Sequence, residues 1–417
     1  MSVLPKTTQA VIGLAFGDEG KGAMVHHLVS QSPSLPLVIR SNGGPQAGHT
    51  VIHDGIRHVF HHFGSGSLQG APTCLSHYFL CNPILFLKEL DELRHKGVSP
   101  KVFVDPTCLV TTPYDMLLNE AIEWSRGDAR HGSCGVGIQE TIIRSEEHDP
   151  LYAHHALFVN DLNVFHKYSP PLREMVTDIR DIYGPQRLAE LDITMPDHLR
   201  EIWDSPQTLS HFVDDCVRFI SNVTVVNDRE ITRNYDAVIY EGAQGRLLSQ
   251  DVHAYYPYLT PSHTGIRNML TLMTDAERHN LEVTYVTRAY TTRHGAGPLP
   301  HELLKAPYDG IVDATNGYNT WQESLRFSYL NLDLLSWALD MEQRDIARSS
   351  GVIPRFGSQP RAQLAITCLD QVDEEVGVIQ DGKMRKVPRE QLSQYVHQYL
   401  NVSVSHEGHG PSDMRLR

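Results

Sequence analysis

Short apolar runs, each closed by a glycine-bearing loop, recur along this 417-residue chain and limit what it can fold into. Residues 10–16 lead into the loop 17–22, residues 37–39 into 42–48, and residues 236–240 into 241–245. Further runs of this kind are 101–104, 283–286 and 363–367. Helical patterns separate them at 23–29, 85–96, much of 171–220, and 332–341. Runs this short suit strands buried on both faces, and their alternation with helices predicts an α/β fold, a mostly parallel central sheet covered by helices. The expected organisation is one domain over 1–417. Residues 149–227 form a helical excursion from the sheet, punctuated at Gly184, Pro185 and Pro196.

Charge narrows the function. The balance of 36 basic against 50 acidic residues gives a net −14. An acidic surface disfavours DNA or RNA, whose phosphate backbones are held by clustered Lys and Arg. It leaves room for a small nucleotide in a local basic pocket. The 24 histidines show no H-E-x-x-H spacing and read mostly as surface or satisfied core residues. Cys74, Cys81, Cys108, Cys134, Cys216 and Cys368 are scattered, without a C-x-x-C pair, which suits free thiols in a reducing compartment. No stretch approaches the ~20 apolar residues of a membrane span. The N-terminus lacks a basic start followed by an apolar run, so a cytoplasmic protein with no membrane partner is expected.

Four loops carry candidate chemistry. In Phe16-Gly17-Asp18-Glu19-Gly20-Lys21-Gly22, glycines let the backbone approach phosphate, the helix that follows favours anions, and Lys21 supplies a mobile positive charge. The spacing is not that of the Walker P-loop, and a tight strand-to-helix turn explains it equally well. Asn42-Gly43-Gly44-Pro45-Gln46-Ala47-Gly48-His49-Thr50 also follows a strand, where open α/β sheets bind ligands. A lone His49 is most often structural, but beside an acid and a phosphate loop it becomes a candidate proton donor. In Glu241-Gly242-Ala243-Gln244-Gly245, continued by Tyr256-Pro257-Tyr258-Leu259-Thr260, Gln244 is placed to donate to a carbonyl oxygen or to lie in a surface turn. In Thr291-Thr292-Arg293-His294-Gly295-Ala296-Gly297-Pro298, Arg293 reads as an anion contact or a solvated cation.

In this order the four loops resemble the adenylosuccinate synthetase family over residues 11 to about 373. The family's W-G-D-E-G-K-G is matched at 16–22 with only the aromatic changed. Its G-G-N-x-A-G-H-T is matched at 43–50, its E-G-A-Q-G and T-Y-P-Y-V-T at 241–245 and 256–260, and its T-T-R-x-G-A-G-P at 291–298. A late Leu-Asp pair is present as Leu369-Asp370. The resemblance implies a ligase that joins L-aspartate to C6 of a 6-oxopurine nucleotide through a 6-phosphoryl intermediate, with IMP the first expectation and GMP or dGMP the second. It implies catalytic roles for Asp18 (base at N1), Gln244 (6-oxygen), Lys21 and His49 (phosphates). It implies nucleotide contacts from Gly17, Glu19, Gly20, Gly22, Gln46, Gly48, Thr50, Ser133, Cys134, Thr260, Arg293 and Asp370. Mg²⁺ would be held by Asp18 and the Gly48 carbonyl, and aspartate by Thr320 and Arg326. Asp370 would accept from N1 and the 2-amino group of guanine, which favours GTP or dGTP over ATP. The same resemblance implies a homodimer.

The sequence also departs from the family. The phosphate loop G-T-T-G-R-G-I-G-P is here Gly132-Ser133-Cys134-Gly135-Val136-Gly137-Ile138-Gln139, with a thiol and an apolar side chain where the family has Thr and Arg. Arg144 comes sooner than the family's dimer-partner Arg. The arginine-rich aspartate loop is reduced to Arg326 alone, within residues 319–327, and Cys368 stands where Lys is usual. Pro45 and the Trp321-Gln322 pair resemble a phage branch that converts dGMP, although that branch typically replaces the loop aspartate kept here as Asp18. A nucleotide-binding regulator that has lost ligation is the alternative of another class. The retained Asp18, Lys21, His49 and Gln244 speak against it.

Overall fold

In the computed structural model, residues 6–146, 155–165, 169–312, 324–349 and 359–417 are described. Sixteen strands form among them. The first nine are β1 (Thr7–Gly13), β2 (Leu37–Arg40), β3 (His49–His53), β4 (Ile56–Phe60), β5 (Thr73–Leu75), β6 (Val102–Val104), β7 (Thr224–Val225), β8 (Ala237–Gly245) and β9 (Leu281–Arg288). They are followed by β10 (Tyr290–Arg293), β11 (Arg326–Asn331), β12 (Arg361–Thr367), β13 (Glu375–Gln380), β14 (Lys383–Pro388), β15 (Val404–Gly408) and β16 (Met414–Leu416). A ten-stranded sheet runs in the order β16-β15-β12-β9-β1-β8-β2-β5-β6-β7. Every neighbouring pair in it is parallel except β15–β16. This is the expected mostly parallel sheet. Its central strands are buried on both faces, as the short apolar runs require.

Two large apolar clusters flank the sheet. One gathers Ile12, Tyr240, Val283 and Leu364 from the middle strands with side chains of the helices Arg267–Asp275, Leu332–Arg348 and Leu392–Leu400. The other joins Leu75 and Val104 to the helices Pro83–His95 and Pro113–Ser125 and to a helical stretch that ends in Pro206–Ser221. Each fully buried Leu, Val or Phe contributes about 1.5–3 kcal/mol. Between β6 and β7 the chain runs through Pro113–Ser125, Ile138–Ser145, Val159–Phe165, Ser169–Asp178, Gly184–Glu190, Asp197–Asp204 and Pro206–Ser221. Gly184 sits inside this stretch because a Cβ there would lie 2.2 Å from the Trp203 ring.

Two features depart from the sequence expectation. The first strand begins at Thr7 and ends at Gly13, three residues earlier than the apolar run 10–16, because residues 14–16 already peel off toward the loop. A second sheet, β10-β11-β13-β14, also forms, as does a hairpin of β3 and β4 turning at Asp54-Gly55, both with positive φ.

Candidate active site

The three central strands β9, β1 and β8 release their loops on one edge of the sheet. Non-glycine residues in the left-handed region mark that edge: Asp18 (φ 60) after β1, Gln244 (φ 64) in β8 and Cys368 (φ 60) after β12. Such conformations persist only where the surroundings impose them, and they gather at functional sites. Here the imposing contacts are visible. Gly245 lies so close to the first loop that a Cβ on it would sit 2.3 Å from both Ala15 O and Gly17 N. Asn42 donates to Ala243 O at 3.0 Å and accepts from Ala243 N at 2.8 Å, which ties the second loop to the third.

Within the first loop, Glu19 turns inward. It accepts hydrogen bonds from Ala15 N (3.0 Å) and Gly17 N (2.9 Å), and its other oxygen pairs with Lys21 Nζ at 2.9 Å. Both side chains are buried. Lys21 is therefore a cation held at the start of the helix α1 (Lys21–Gln31), not the mobile charge expected from sequence, and the Glu19 side chain is engaged in shaping the loop. The Asp18 carboxylate receives no hydrogen bond among the described residues. Burial raises its pKa above the usual carboxylate value, against the downward pull of Arg288, Lys21 and His294. Arg288 Nε donates to the Asp18 backbone carbonyl.

His49 begins β3. Its Nδ1 lies 2.5 Å from Glu241 Oε1, while Nε2 is buried without a partner. Burial pushes the imidazole down to about 4 despite the upward pull of Glu241. Burial would raise Glu241 too, but the fully buried Arg40, His49 and Ser65 outweigh it and hold the carboxyl at about 2. An ionised Glu241 therefore accepts from Nδ1–H, which leaves the His49 Nε2 lone pair toward the site. Gln46, in the same loop, has both amide atoms buried and unpartnered. Buried polar atoms without partners are rare in a folded protein, and a cluster of them points to a ligand that satisfies them.

Other expected residues sort differently. Ser133 Oγ donates to Asn119 at 2.6 Å and accepts from Gly135 N. The Cys134 thiol is pushed up to about 11 by burial, so it stays neutral. Thr260 is buried and Thr50 lies on β3. Arg293 is not a solvated cation. It is buried with its guanidinium 4.6 Å over the Phe16 ring, and it donates to Pro298 O (2.9 Å) and Tyr258 O (3.1 Å). Arg326 donates to the carbonyls of Gly295 and Gly297, both at 2.7 Å, and pairs with Glu302 at 2.8 Å. Asp370 is exposed on the short turn Leu369–Gln371. Arg144 is fully buried against Asp115 (2.9 Å) and so is spent within its own subunit. Thr320, Trp321 and Gln322 lie outside the described residues.

Sequence reasoning did not single out Glu241, Arg40, Arg288 or His294. Glu241 and His294 stood inside motifs already recognised, while the roles of Arg40 and Arg288 depend on contacts across strands. A separate cluster, His77, Asp105 and Asp228, brings three possible metal-ligand atoms within 4.8 Å of one another. Its members bond to each other: Asp228 accepts from His77 Nδ1 at 2.7 Å, and Asp105 accepts from Asp228 N at 2.9 Å. No helix among the described residues is long and apolar enough to cross a membrane.

Known proteins match this arrangement. The sequence profile "Adenylosuccinate synthetase" matches residues 10–342. The adenylosuccinate synthetase of Tolumonas auensis is 30% identical over 301 residues, 70% of this chain and 64% of that protein. That of Prochlorococcus marinus is 33% identical over 313 residues, 74% of this chain and 67% of that protein. The chain thus spans about two thirds of the length of these relatives. The fully ligated adenylosuccinate synthetase of Plasmodium falciparum superposes with a TM-score of 0.72 at 17% identity, covering 98% of this chain and 99% of that one. The succinoaminodeoxyadenylate synthetase of cyanophage S-2L, bound to dGMP and to dATP as energy donor, gives 0.61 at 15% identity, covering 99% and 95%. At these identities the two superpositions speak for the fold alone.

Proposed function

The chain belongs to the adenylosuccinate synthetase family, and on that premise we propose that it ligates L-aspartate to C6 of a 6-oxopurine nucleotide at the expense of a purine triphosphate. The observation that carries this reading is the close approach of the loops that bear Asp18, Gln244 and His49, where a Cβ on Gly17 would lie 3.7 Å from Gln244 Cα and one on Gly22 2.8 Å from His49 Cβ, with the His49 and Gln46 polar atoms left for a ligand. The chemistry needs a better leaving group than an amide-like oxygen. Asp18 takes the N1 proton, which moves electron density onto the 6-oxygen. Gln244 hydrogen-bonds that oxygen and aims it at the γ-phosphorus. The new O6–P bond forms as the bond to the departing diphosphate breaks, and Lys21 balances charge on the phosphates. The aspartate amine then attacks C6, and phosphate leaves with the former 6-oxygen.

Asp18 also suits a hard divalent cation. Its carboxylate receives no hydrogen bond among the described residues, and the family resemblance pairs it with the Gly48 carbonyl, both oxygen donors of the kind Mg²⁺ prefers. Bound there, Mg²⁺ would neutralise phosphate charge. Family membership also supports a homodimer in the cytoplasm, which sedimentation and fractionation would test. The direct experiment incubates the protein with Mg²⁺, aspartate, GTP or ATP, and IMP, GMP or dGMP in turn, and weighs the products. An adduct heavier than the nucleotide by aspartate less water is expected. Consumption of no nucleotide in any mixture would overturn the reading.

A further inference from the structure

A cavity of about 330 Å³ opens between β4 and the helix Pro83–His95. Lys88, Glu92 and Lys96, four residues apart and so on one face of the chain's helical path, form one wall. Arg57 and His58 of β4, with His61 just after it, form the other. Asp18, Lys21, Gln46, His49 and Gln244 do not line this space, so it is separate from the candidate active site.

The hydrogen bonds of His58 say what the cavity lacks. This side chain is only 1% exposed. Lys96 Nζ, which can only donate, lies 2.8 Å from its Nδ1. Nδ1 therefore accepts, and the imidazole proton sits on Nε2. That N–H is buried and has no hydrogen-bond partner. Glu89 Oε1 stands 3.6 Å away, too far to accept it. Both Glu89 oxygens are already taken, by His61 N at 2.9 Å and His62 N at 2.7 Å. A buried donor left unpaired costs free energy and calls for an acceptor. Around this donor stand three cations, Arg57, Lys88 and Lys96, against two acids, Glu89 and Glu92. Lys88 is exposed and has no hydrogen bond or ion pair among the described residues. The acceptor that fits is an anion.

We propose that this cavity is a second ligand site, which takes a small phosphorylated molecule the size of a sugar phosphate and holds its phosphate against His58 Nε2, Lys88 and Lys96. A phosphate presents three terminal oxygens and accepts from both walls at once, where a flat carboxylate has two. The space is larger than a lone phosphate needs and falls at the low end of small-molecule sites. Val59, Leu85 and Val136 give apolar contact to the organic part. The proposal does not depend on the ligase reading. The cavity does, however, adjoin the loop 42–50: His61 Nδ1 donates to Pro45 O at 2.9 Å, and a Cβ on Gly48 would lie 3.0 Å from Val59 Cγ1. The test must therefore separate the two places.

Calorimetry with ribose 5-phosphate as the probe, and with ribose and succinate as controls, compares wild type with Lys88→Glu, His58→Phe, His58→Gln and Gln46→Ala. Wild type is expected to bind ribose 5-phosphate about tenfold or more tighter than succinate, and ribose not measurably. Lys88→Glu and His58→Phe should each weaken ribose 5-phosphate by about tenfold. His58→Gln, which keeps a donor, should recover part of that loss. Gln46→Ala, a change in the nucleotide loop, should alter it less than about threefold. Far-UV circular dichroism checks that each variant is folded. If His58→Phe does not fold, Lys88→Glu decides, because that side chain is exposed and its loss leaves the core intact. No binding of ribose 5-phosphate by wild type would overturn the proposal, as would equal binding of succinate. So would wild-type affinity in Lys88→Glu, or a loss in Gln46→Ala as large as that in Lys88→Glu, which would place the probe in the nucleotide site.

Discussion

Asp18 sits where burial makes an ionised carboxylate costly, while Glu241 is a carboxylate the protein has compensated. The two should therefore respond differently to loss of charge. Asp18→Asn removes the base, and turnover is expected to fall by ~10²–10⁴-fold, yet the midpoint of urea unfolding should hold or rise. Glu241→Gln strips the partner from the buried Arg40, 4.0 Å away, and should cost about 3–5 kcal/mol of stability as well as activity. Equal unfolding midpoints for the two variants would contradict this division. Asp370 is a third case. It is exposed, so any discrimination it exerts between triphosphates would arise only when a base covers it. Asp370→Asn should erode a GTP-over-ATP preference in kcat/KM by about tenfold without changing the rate of the chemistry; a wild-type preference for ATP would remove the role. At this scale the sequence exposed the residues of the glycine-bearing loops, because glycine spacing announces them. It hid those that act through a neighbour, since nothing local distinguishes Glu241 from any other acid at the end of an apolar run.

The loop from Arg293 to Pro298 is anchored by arginines at both ends, and the second anchor comes from another strand, β11. Arg326→Ala should loosen the loop and raise the KM for the purine nucleotide at least as much as that for aspartate, with a small effect on unfolding. A rise confined to aspartate would instead mean a direct contact with the amino acid. The parallel sheet was legible because β1, β2, β8, β9 and β12 are apolar enough to be buried on both faces. The second sheet was not. β14 reads Lys-Met-Arg-Lys-Val-Pro and is mostly exposed, and β11 mixes Arg, Ser, Tyr and Asn with two apolar residues, so their pairing depends on partners distant in sequence. The β3–β4 hairpin is a different kind of omission. Asp54-Gly55 is a strong turn signal that the glycine loops on either side overshadowed.

Across the molecule, the helices Arg267–Asp275 and Leu332–Arg348 are joined by the Arg267–Asp345 pair at 2.7 Å, and Arg246 lies near Asp251, Glu342 and Asp345. Glu342 Oε1 is 2.7 Å from Arg246 Nε, a distance that suggests an ionised pair. Neither atom has a hydrogen-bond partner, and burial prevails, raising Glu342 to about 7. Its folded-state value lies above the unfolded one. The stabilisation it gives is therefore complete below about pH 4.5 and is lost as pH rises through 7. The stability of wild type relative to Glu342→Gln should thus decline between pH 5 and pH 8, by up to roughly 3 kcal/mol; a pH-independent difference in urea unfolding would refute this. The Arg326 clamp has a consequence at the same scale. If the aspartate of the proposed reaction pairs with Arg326, its carboxylate must compete with the carbonyls of Gly295 and Gly297 for the guanidinium, and filling that site would change how firmly the loop from Arg293 to Pro298 is held. The two substrates are then thermodynamically linked, and linkage is reciprocal: whatever factor aspartate applies to the dissociation constant of the nucleotide, the nucleotide must apply to that of aspartate. Titrating each ligand with and without the other measures that factor, and Arg326→Ala should bring it toward one.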